Sequence, residues 1–342
     1  MTTQHTKSPC CKSFIRRFGK RRRQCATCKK TWSIRQKKRG RPRVRVSSAK
    51  EILRQIFLER FTLGHLIRRR PHLSLFGFRH RFRQLLRQFV TSSSSQERRI
   101  IPSGPLILLA DGLWFNFKNK NWVLYLSALR SIYGTKAIFL DPMLFAEREG
   151  AYTWEKVFAS IPEEARTRIC ALVADNLQGM KLIAKRHGWL LQLCHFHLIL
   201  KLQLRRGGKR KRKQKALRGG KTREKIYKLI YRAIELPEGP SLTRTINQLK
   251  QLVQSDCGTQ RIQAVIRDFL YSLSFYRTYL SHPELHLPTT TNAVESMGRV
   301  VRELLLRNRC ASSPQSLQLW TTALIRMRSE INCNGKIINR IY

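Results

Sequence analysis

Acidic residues are what this chain has least of. It carries 20 Asp plus Glu against 68 Lys plus Arg, and five of those acids are aspartate. A net charge of +48 and a pI near 11.3 would make the chain self-repelling. With 42% apolar residues it is also too hydrophobic for a disordered basic tail. A polyanion is therefore the expected partner, bound with steep salt dependence because each neutralised phosphate releases counterions. Long apolar runs are missing too. None approaches the ~18 residues of a membrane span, and the basic N-terminus lacks a signal peptide's apolar stretch. This predicts no membrane partner and a soluble, intracellular, cytoplasmic protein. The nine cysteines suit that compartment better as thiols or metal ligands than as disulfides. The length allows two or three domains.

Residues 1–45 hold Cys10, Cys11, Cys25 and Cys28 and very few apolar side chains. A segment this poor in core needs a staple, and Cys25-x-x-Cys28 with the Cys10-Cys11 pair reads as a small zinc ribbon. Ribbons usually open C-P-x-C, whereas Ser8 precedes Pro9 here, so Cys10 would have to stand in. A degenerate ribbon without metal is the alternative. Next, Lys37-Lys38-Arg39-Gly40-Arg41-Pro42-Arg43 resembles an AT-hook. Extended Arg39, Arg41 and Arg43 around Gly40 could enter a narrow A-T-rich minor groove, or could touch phosphates as a basic linker.

Residues 46–95 show helical periodicity in Ile52, Leu53, Ile56 and Phe57, then Leu63, Leu66 and Ile67, then Phe76 through Phe89. Breaks at Gly64 and Pro71 suit a helix-turn-helix, with Arg79, Arg81, Arg83 and Arg87 available to DNA. A plain three-helix linker explains the apolar pattern equally well. The 91–95 stretch reads as a boundary.

From residue 103 the pattern turns to strands. Leu106 to Ala110, Trp122 to Ala128 and Lys136 to Leu140 come first. A helix follows near 153–160, then a strand from Cys170 to Ala174, a helix over 179–187 and a strand from Trp189 to Leu193. The short, continuous apolar runs read as strands buried on both faces. Their order, β-β-β-α-β-α-β, is that of a ribonuclease H-like α/β domain with a mixed sheet, here over 103–342. In that architecture the first and fourth strands are parallel neighbours, so Asp111 and Asp175 at their ends come together. Residues 198–288 read as a helical insertion, opening on a basic run from Gly207 to Lys225.

Four stretches then carry a resemblance. They are Ala110-Asp111-Gly112, Val173-Ala174-Asp175, Cys194-His195-Phe196-His197, and Thr290-Thr291-Asn292-Ala293-Val294-Glu295-Ser296. Over roughly 105–328 the chain resembles bacterial insertion-sequence transposases of the D-D-E class, close to the mutator-like group. The resemblance implies a catalytic, metal-binding triad of Asp111, Asp175 and Glu295, with Asp111 bridging two Mg²⁺ or Mn²⁺ ions. Carboxylates suit such hard cations in phosphoryl chemistry. It further implies cleavage at the ends of an element and strand transfer into target DNA. Double-stranded DNA would be the partner, the protein nucleoid-associated and a dimer or larger assembly on DNA.

Blander readings stand beside these. Asp111-Gly112 is a turn dipeptide by itself. Asp141 before Pro142 reads as a turn residue. Asn292-x-x-Glu295 has capping-box spacing. Cys194 and His197 form an incomplete tetrahedral set, so packing that positions the site edge is favoured over zinc there. Arg299 and Arg302 fall on the Glu295 face of a helix, as phosphate ligands or as a solvated basic face. Two other function classes remain: a catalytically inactive DNA-binding regulator derived from a transposase, and an RNA-binding protein. The latter is disfavoured because the aromatics fall in apolar patterns rather than exposed stacking pairs.

Overall fold

The computed structural model describes residues 7–18, 22–33, 49–69, 74–92, 101–206, 220–254 and 260–332. Arg39, Arg41 and Arg43 of the hook-like segment lie outside the described residues, as does 207–219 of the basic run. The chain divides into two compact units, 1–52 and 53–342.

The first unit is a three-stranded antiparallel sheet of β1 (Ile15–Arg17), β2 (Arg22–Cys25) and β3 (Thr31–Ser33). Its described strands are short, and Phe14 and Phe18 face solvent. Among the described residues of this unit the buried side chains are Ser8 and Cys25 rather than a set of aliphatics.

The second unit opens with helices α1 (Ala49–Phe57, begun in the first unit), α2 (Leu63–Arg68) and α3 (Leu75–Thr91). The strands β4 (Leu106–Phe117), β5 (Lys120–Ser131), β6 (Lys136–Phe139) and β7 (Met143–Phe145) follow, then α4 (Ala151–Ala159) and α5 (Glu163–Arg166). Next come β8 (Ile169–Ala174), α6 (Met180–His187), β9 (Leu190–Leu193) and α7 (His195–Arg206). The chain continues with α8 (Gly220–Glu235), α9 (Pro240–Gln254), α10 (Gln260–Tyr276), α11 (Thr278–Ser281), α12 (Asn292–Asn308), α13 (Pro314–Met327) and β10 (Glu330–Asn332).

One mixed sheet organises this unit, in the order β10-β6-β5-β4-β8-β9, with β7 also paired to β5. β5 is antiparallel to β4, while β8 is parallel to β4 and β9 to β8. The parallel pairing of the first and fourth strands is thus present. Neither β7 nor β10 was expected. Both are three-residue strands, too short to show an alternation in sequence.

Alternation along β4 assigns the two faces of the sheet. Leu106, Leu108 and Ala110 share a core with Trp154 of α4, Ile183 of α6 and Ile230, Leu249 and Phe269 of α8–α10. On the other face α12 lies against β4 and β5. A Cβ on Gly298 would stand 2.9 Å from Leu113 Cδ2, so this glycine sets how closely α12 approaches β4.

The helices at 49–91 bury the expected Leu53, Ile56, Phe57, Leu66, Phe82 and Leu86. Thr62 and Ser74 cap α2 and α3 by accepting the His65 and Gly77 amides at 3.0 Å. Phe57 and Phe82 both meet Trp320 of α13, with ring centroids 5.7 and 5.2 Å apart, and Asn308 Oδ1 accepts the Leu63 amide at 2.9 Å. Arg79, Arg81, Arg83 and Arg87 are exposed on α3. No helix among the described residues is long and apolar enough to cross a membrane.

Candidate functional site

Two clusters of metal-ligating groups stand out. In the first unit, ligand atoms of Cys10, Cys11, Cys25 and Cys28 all lie within 4.8 Å of one another and could hold a metal such as zinc. Cys10 and Cys28 Sγ are 3.3 Å apart, so the adjacent cysteines do converge on the C-x-x-C turn. Ser8, in the position a ribbon normally gives to cysteine, is 2% exposed and its hydroxyl lies 3.3 Å from Cys25 Sγ. Ser13 Oγ is 3.0 Å from the same sulfur. These hydroxyls, Ser13 first, pull the Cys25 thiol down to about 5, while the neighbouring Cys28 thiol holds Cys11 up at about 12.

The second cluster lies where β4 loses its parallel neighbour. Asp111 does not end its strand. β4 continues with β5 to Phe117 and turns at Lys118 and Asn119, both at positive φ as a two-residue hairpin turn requires. Asp111-Gly112 is therefore not a turn. The pairing with β8 stops at Leu109↔Val173, which leaves that edge of β4 open at Asp111. Asp175 follows Ala174, the last residue of β8, and is held by its own turn, its Oδ1 accepting the Asn176 amide at 2.6 Å.

β9 ends one residue before Cys194, whose amide is donated to Ala174 O at 2.8 Å, and α7 starts directly afterwards. His197 on the first turn of α7 stands between the other two acids, Nε2 being 3.7 Å from Asp111 Oδ1 and Nδ1 4.0 Å from Glu295 Oε1. His197 Nδ1 is buried without a hydrogen-bond partner. Lys201, one turn on, pairs with Asp175 Oδ1 at 3.3 Å.

Glu295 is placed by α12, and not as a capping box. Thr291 is the cap and Asn292 the first helical residue, which puts Glu295 a residue too far along to reach the cap amide. Instead Glu295 Oε1 accepts the Thr291 hydroxyl at 2.8 Å, and the Thr291 amide points to Cys194 Sγ at 3.4 Å. Cys194 thus links the end of β9 to the start of α12, and burial pushes its thiol up to about 12. Cys194, His197 and Glu295 also bring S, N and O ligand atoms within 4.8 Å of one another. His195 plays a different part from His197. Fully inside, its Nε2 lies 2.6 Å from Tyr276 O, and burial drives it down to about 4. It fastens the helical insertion to the sheet.

Asp111 and Glu295 are 13% and 15% exposed. Burial, then the charges of Glu295 and Glu149, raise Asp111 to about 8, and burial raises Glu295 to about 7 against the pull of the Thr291 hydroxyl. Both line an open cleft of about 490 Å³ with Phe196, His197, Leu200, Arg299 and Arg302. The two arginines expected beside Glu295 therefore share its cleft. Asp141 is accounted for elsewhere, by a two-point ion pair with Arg326.

Sequence reasoning missed Glu149 and Lys201, and it quoted Thr291 in the motif without its hold on Glu295. Lys201 sits one helical turn from His197, a spacing that could have found it. Glu149 arrives from a loop and carries no such signal. No protein-family model and no curated protein matches this chain.

Proposed function

We propose that the chain is a D-D-E transposase with a ribonuclease H-like catalytic core. It would cleave DNA at the ends of an insertion sequence and transfer the freed strand into target DNA. The observation that carries this reading is the convergence of Asp111 and Glu295, 184 positions apart in sequence, on His197. Asp175 directly follows β8, the adjoining strand of the same parallel pair. The strand order β6-β5-β4-β8-β9, antiparallel only across β6, β5 and β4, supports the fold assignment.

The donor set fits hard divalent cations. Asp111, Asp175 and Glu295 offer oxygens, and burial raises Asp111 and Glu295, a cost that a bound cation would offset. When bound, Mg²⁺ or Mn²⁺ supplies Lewis acidity to a phosphodiester and to the attacking water or 3'-hydroxyl. The chain's own residues do the rest. Asp111, Asp175 and Glu295 would hold the cations, Arg299 and Arg302 in the cleft offer cationic hydrogen-bond donors to phosphate, and Leu113, Phe196 and Leu200 add apolar lining. Exposed arginines on α3 and the overall charge of +48 supply attraction to the duplex. Transfer of two element ends calls for a dimer or larger assembly on DNA.

The test uses duplexes made from the DNA flanking the reading frame. Wild-type protein with Mg²⁺ or Mn²⁺ is expected to nick them at a defined position. Asp111→Asn, Asp175→Asn and Glu295→Gln are each expected to abolish nicking while DNA binding persists. Nicking by Asp175→Asn at the wild-type rate would sink the reading.

A further inference from the structure

Phenyl rings stand outside the first unit where a chain so poor in core would be expected to bury them. Phe14 is 84% and Phe18 50% exposed, while Ser8 and Cys25 are buried. Both rings are fixed by the backbone. Phe14 O accepts the Ala26 amide at 3.0 Å and the Phe18 amide is donated to Arg22 O at 3.1 Å, so the pairing with β2 runs one residue past each end of β1. Side chains alternate along a strand, which puts Phe14, Arg16 and Phe18 on one face and Ile15 on the other. Ile15 is paired directly with Cys25, so the thiol cluster belongs to that second face. Closing the thiols around a metal therefore leaves the phenyls uncovered.

The surroundings choose the occupant. No Asp or Glu occurs before Glu51, and Lys12, Arg16, Arg17, Arg22, Lys29 and Lys30 are exposed. A second copy would bring like charge against like charge, so the surface suits a polyanion. A phenyl ring has no donor to offer a phosphate and cannot reach the faces of bases stacked inside a duplex. It can stack on unpaired bases, whose faces are open. Four residues of extended strand hold the two rings about 13 Å apart with Arg16 midway, room for two bases of one extended strand and the phosphates between them.

We propose that the face bearing Phe14, Arg16 and Phe18 is a binding site for single-stranded DNA, with an unpaired base on each ring and the intervening phosphates on Arg16. A strand opened at a cleaved end supplies such bases. The choice of DNA over RNA rests on the transposase reading, whereas the stacking site needs neither the carboxylates of the second unit nor a divalent cation.

The test is equilibrium binding of a short oligothymidylate, and of a duplex of equal length, to the zinc-loaded full chain without Mg²⁺ or Mn²⁺. Replacing both rings, Phe14→Leu with Phe18→Leu, is expected to weaken the single strand by about tenfold or more. Duplex affinity and both salt slopes should stay at wild type, because no phosphate contact is lost. Phe14→Tyr with Phe18→Tyr keeps both ring faces and should keep the affinity. Arg16→Ala should weaken the single strand and flatten its salt slope by about 0.7. In the wild type, a strand carrying iodouracil should photocross-link to Phe14 or Phe18. Unchanged single-strand affinity in the double leucine variant, or cross-links confined to residues beyond 33, would overturn the site. So would an equal loss on the duplex, which would make the rings wedges at a base step. Tighter binding of oligouridylate through the same rings would overturn the choice of DNA. Because the assay reads no cleavage and contains no divalent cation, it can fail while the nicking test of the triad succeeds, and succeed while that test fails.

Discussion

The thiol cluster of the first unit and the carboxylate cleft of the second are opposite solutions to one problem, bringing like-charged ligands together. Around Cys25 the described residues form almost no apolar interior, and Cys10, Cys11 and Cys28 gather at its exposed side. Around Asp111 the strands are already fully buried: Leu108, Leu109, Leu172 and Val173 are at most 1% exposed. There the sheet exists first and the acids are mounted on it. In one region a ligand would make the structure, and in the other the structure makes a place for a ligand.

The sharpest way to break this contrast is to strip metal. A strong zinc chelator applied to the full chain, or a Cys25→Ser change, should abolish amide-exchange protection over residues 7–33 while β4, β5 and β8 stay protected. Structural zinc in so small a ribbon is worth on the order of 10 kcal/mol, more than the unit's own burial can replace. Protection that survives chelation would mean that the serines and short strands suffice, and the contrast would collapse.

A second, smaller effect comes from pH. Asp111 and Glu295 are raised to about 8 and about 7 in the folded, metal-free protein, from ordinary values of 3.8 and 4.5. An acid raised by folding binds its proton more tightly in the folded state. Its favourable contribution is therefore complete below the ordinary value and disappears as pH climbs through the folded one. Metal-free protein should lose a few kcal/mol between about pH 4 and pH 8 from these two groups. Asp111→Asn should melt progressively higher than wild type over that range, and saturating Mg²⁺ should narrow the difference by stabilising the wild type. Parallel melting curves for the two proteins at every pH would show that the acids are not crowded.

What the sequence disclosed follows the same divide. Cys25-x-x-Cys28 is a local spacing and could be read directly. The two strands that lead to Asp111 and Asp175 were legible because each is a continuous apolar run, and their parallel pairing followed from strand order. The error about Asp111 was physical. Asp111-Gly112 interrupts the apolar run, and a polar residue followed by glycine looks like a strand that has ended, although β4 continues with Leu113 buried and Trp114 and Asn116 exposed, paired beyond Leu109 only with β5. Glu295 was legible by motif, but its hold was not, since the Thr291 and Cys194 links depend on where α12 begins. Glu149 was illegible for a simpler reason. Its partners Gly112 and Trp154 meet it only through the packing of α4 on the sheet.

The smallest expected effect probes whether packing, rather than the ligands, aims the second cluster. Gly298 lies on α12 three residues after Glu295, and an added methyl would meet the Leu113 side chain at 2.9 and 3.2 Å. Leu113 is 3% exposed, so it has little room to yield. Gly298→Ala should therefore push α12 outward by a few tenths of an ångström, at about 1–3 kcal/mol of overpacking, partly offset by alanine's better helix propensity. Because Glu295 rides on the same helix while Asp111 and Asp175 stay with the strands, the acids should separate and Mn²⁺ affinity should fall by a few-fold. The thiol cluster should be indifferent, retaining its zinc and its exchange protection. Unchanged Mn²⁺ affinity in a variant that has lost stability would mean that Glu295 finds its place through Thr291 and Cys194 alone. The second region would then resemble the first, with local side-chain links rather than the buried sheet setting the site.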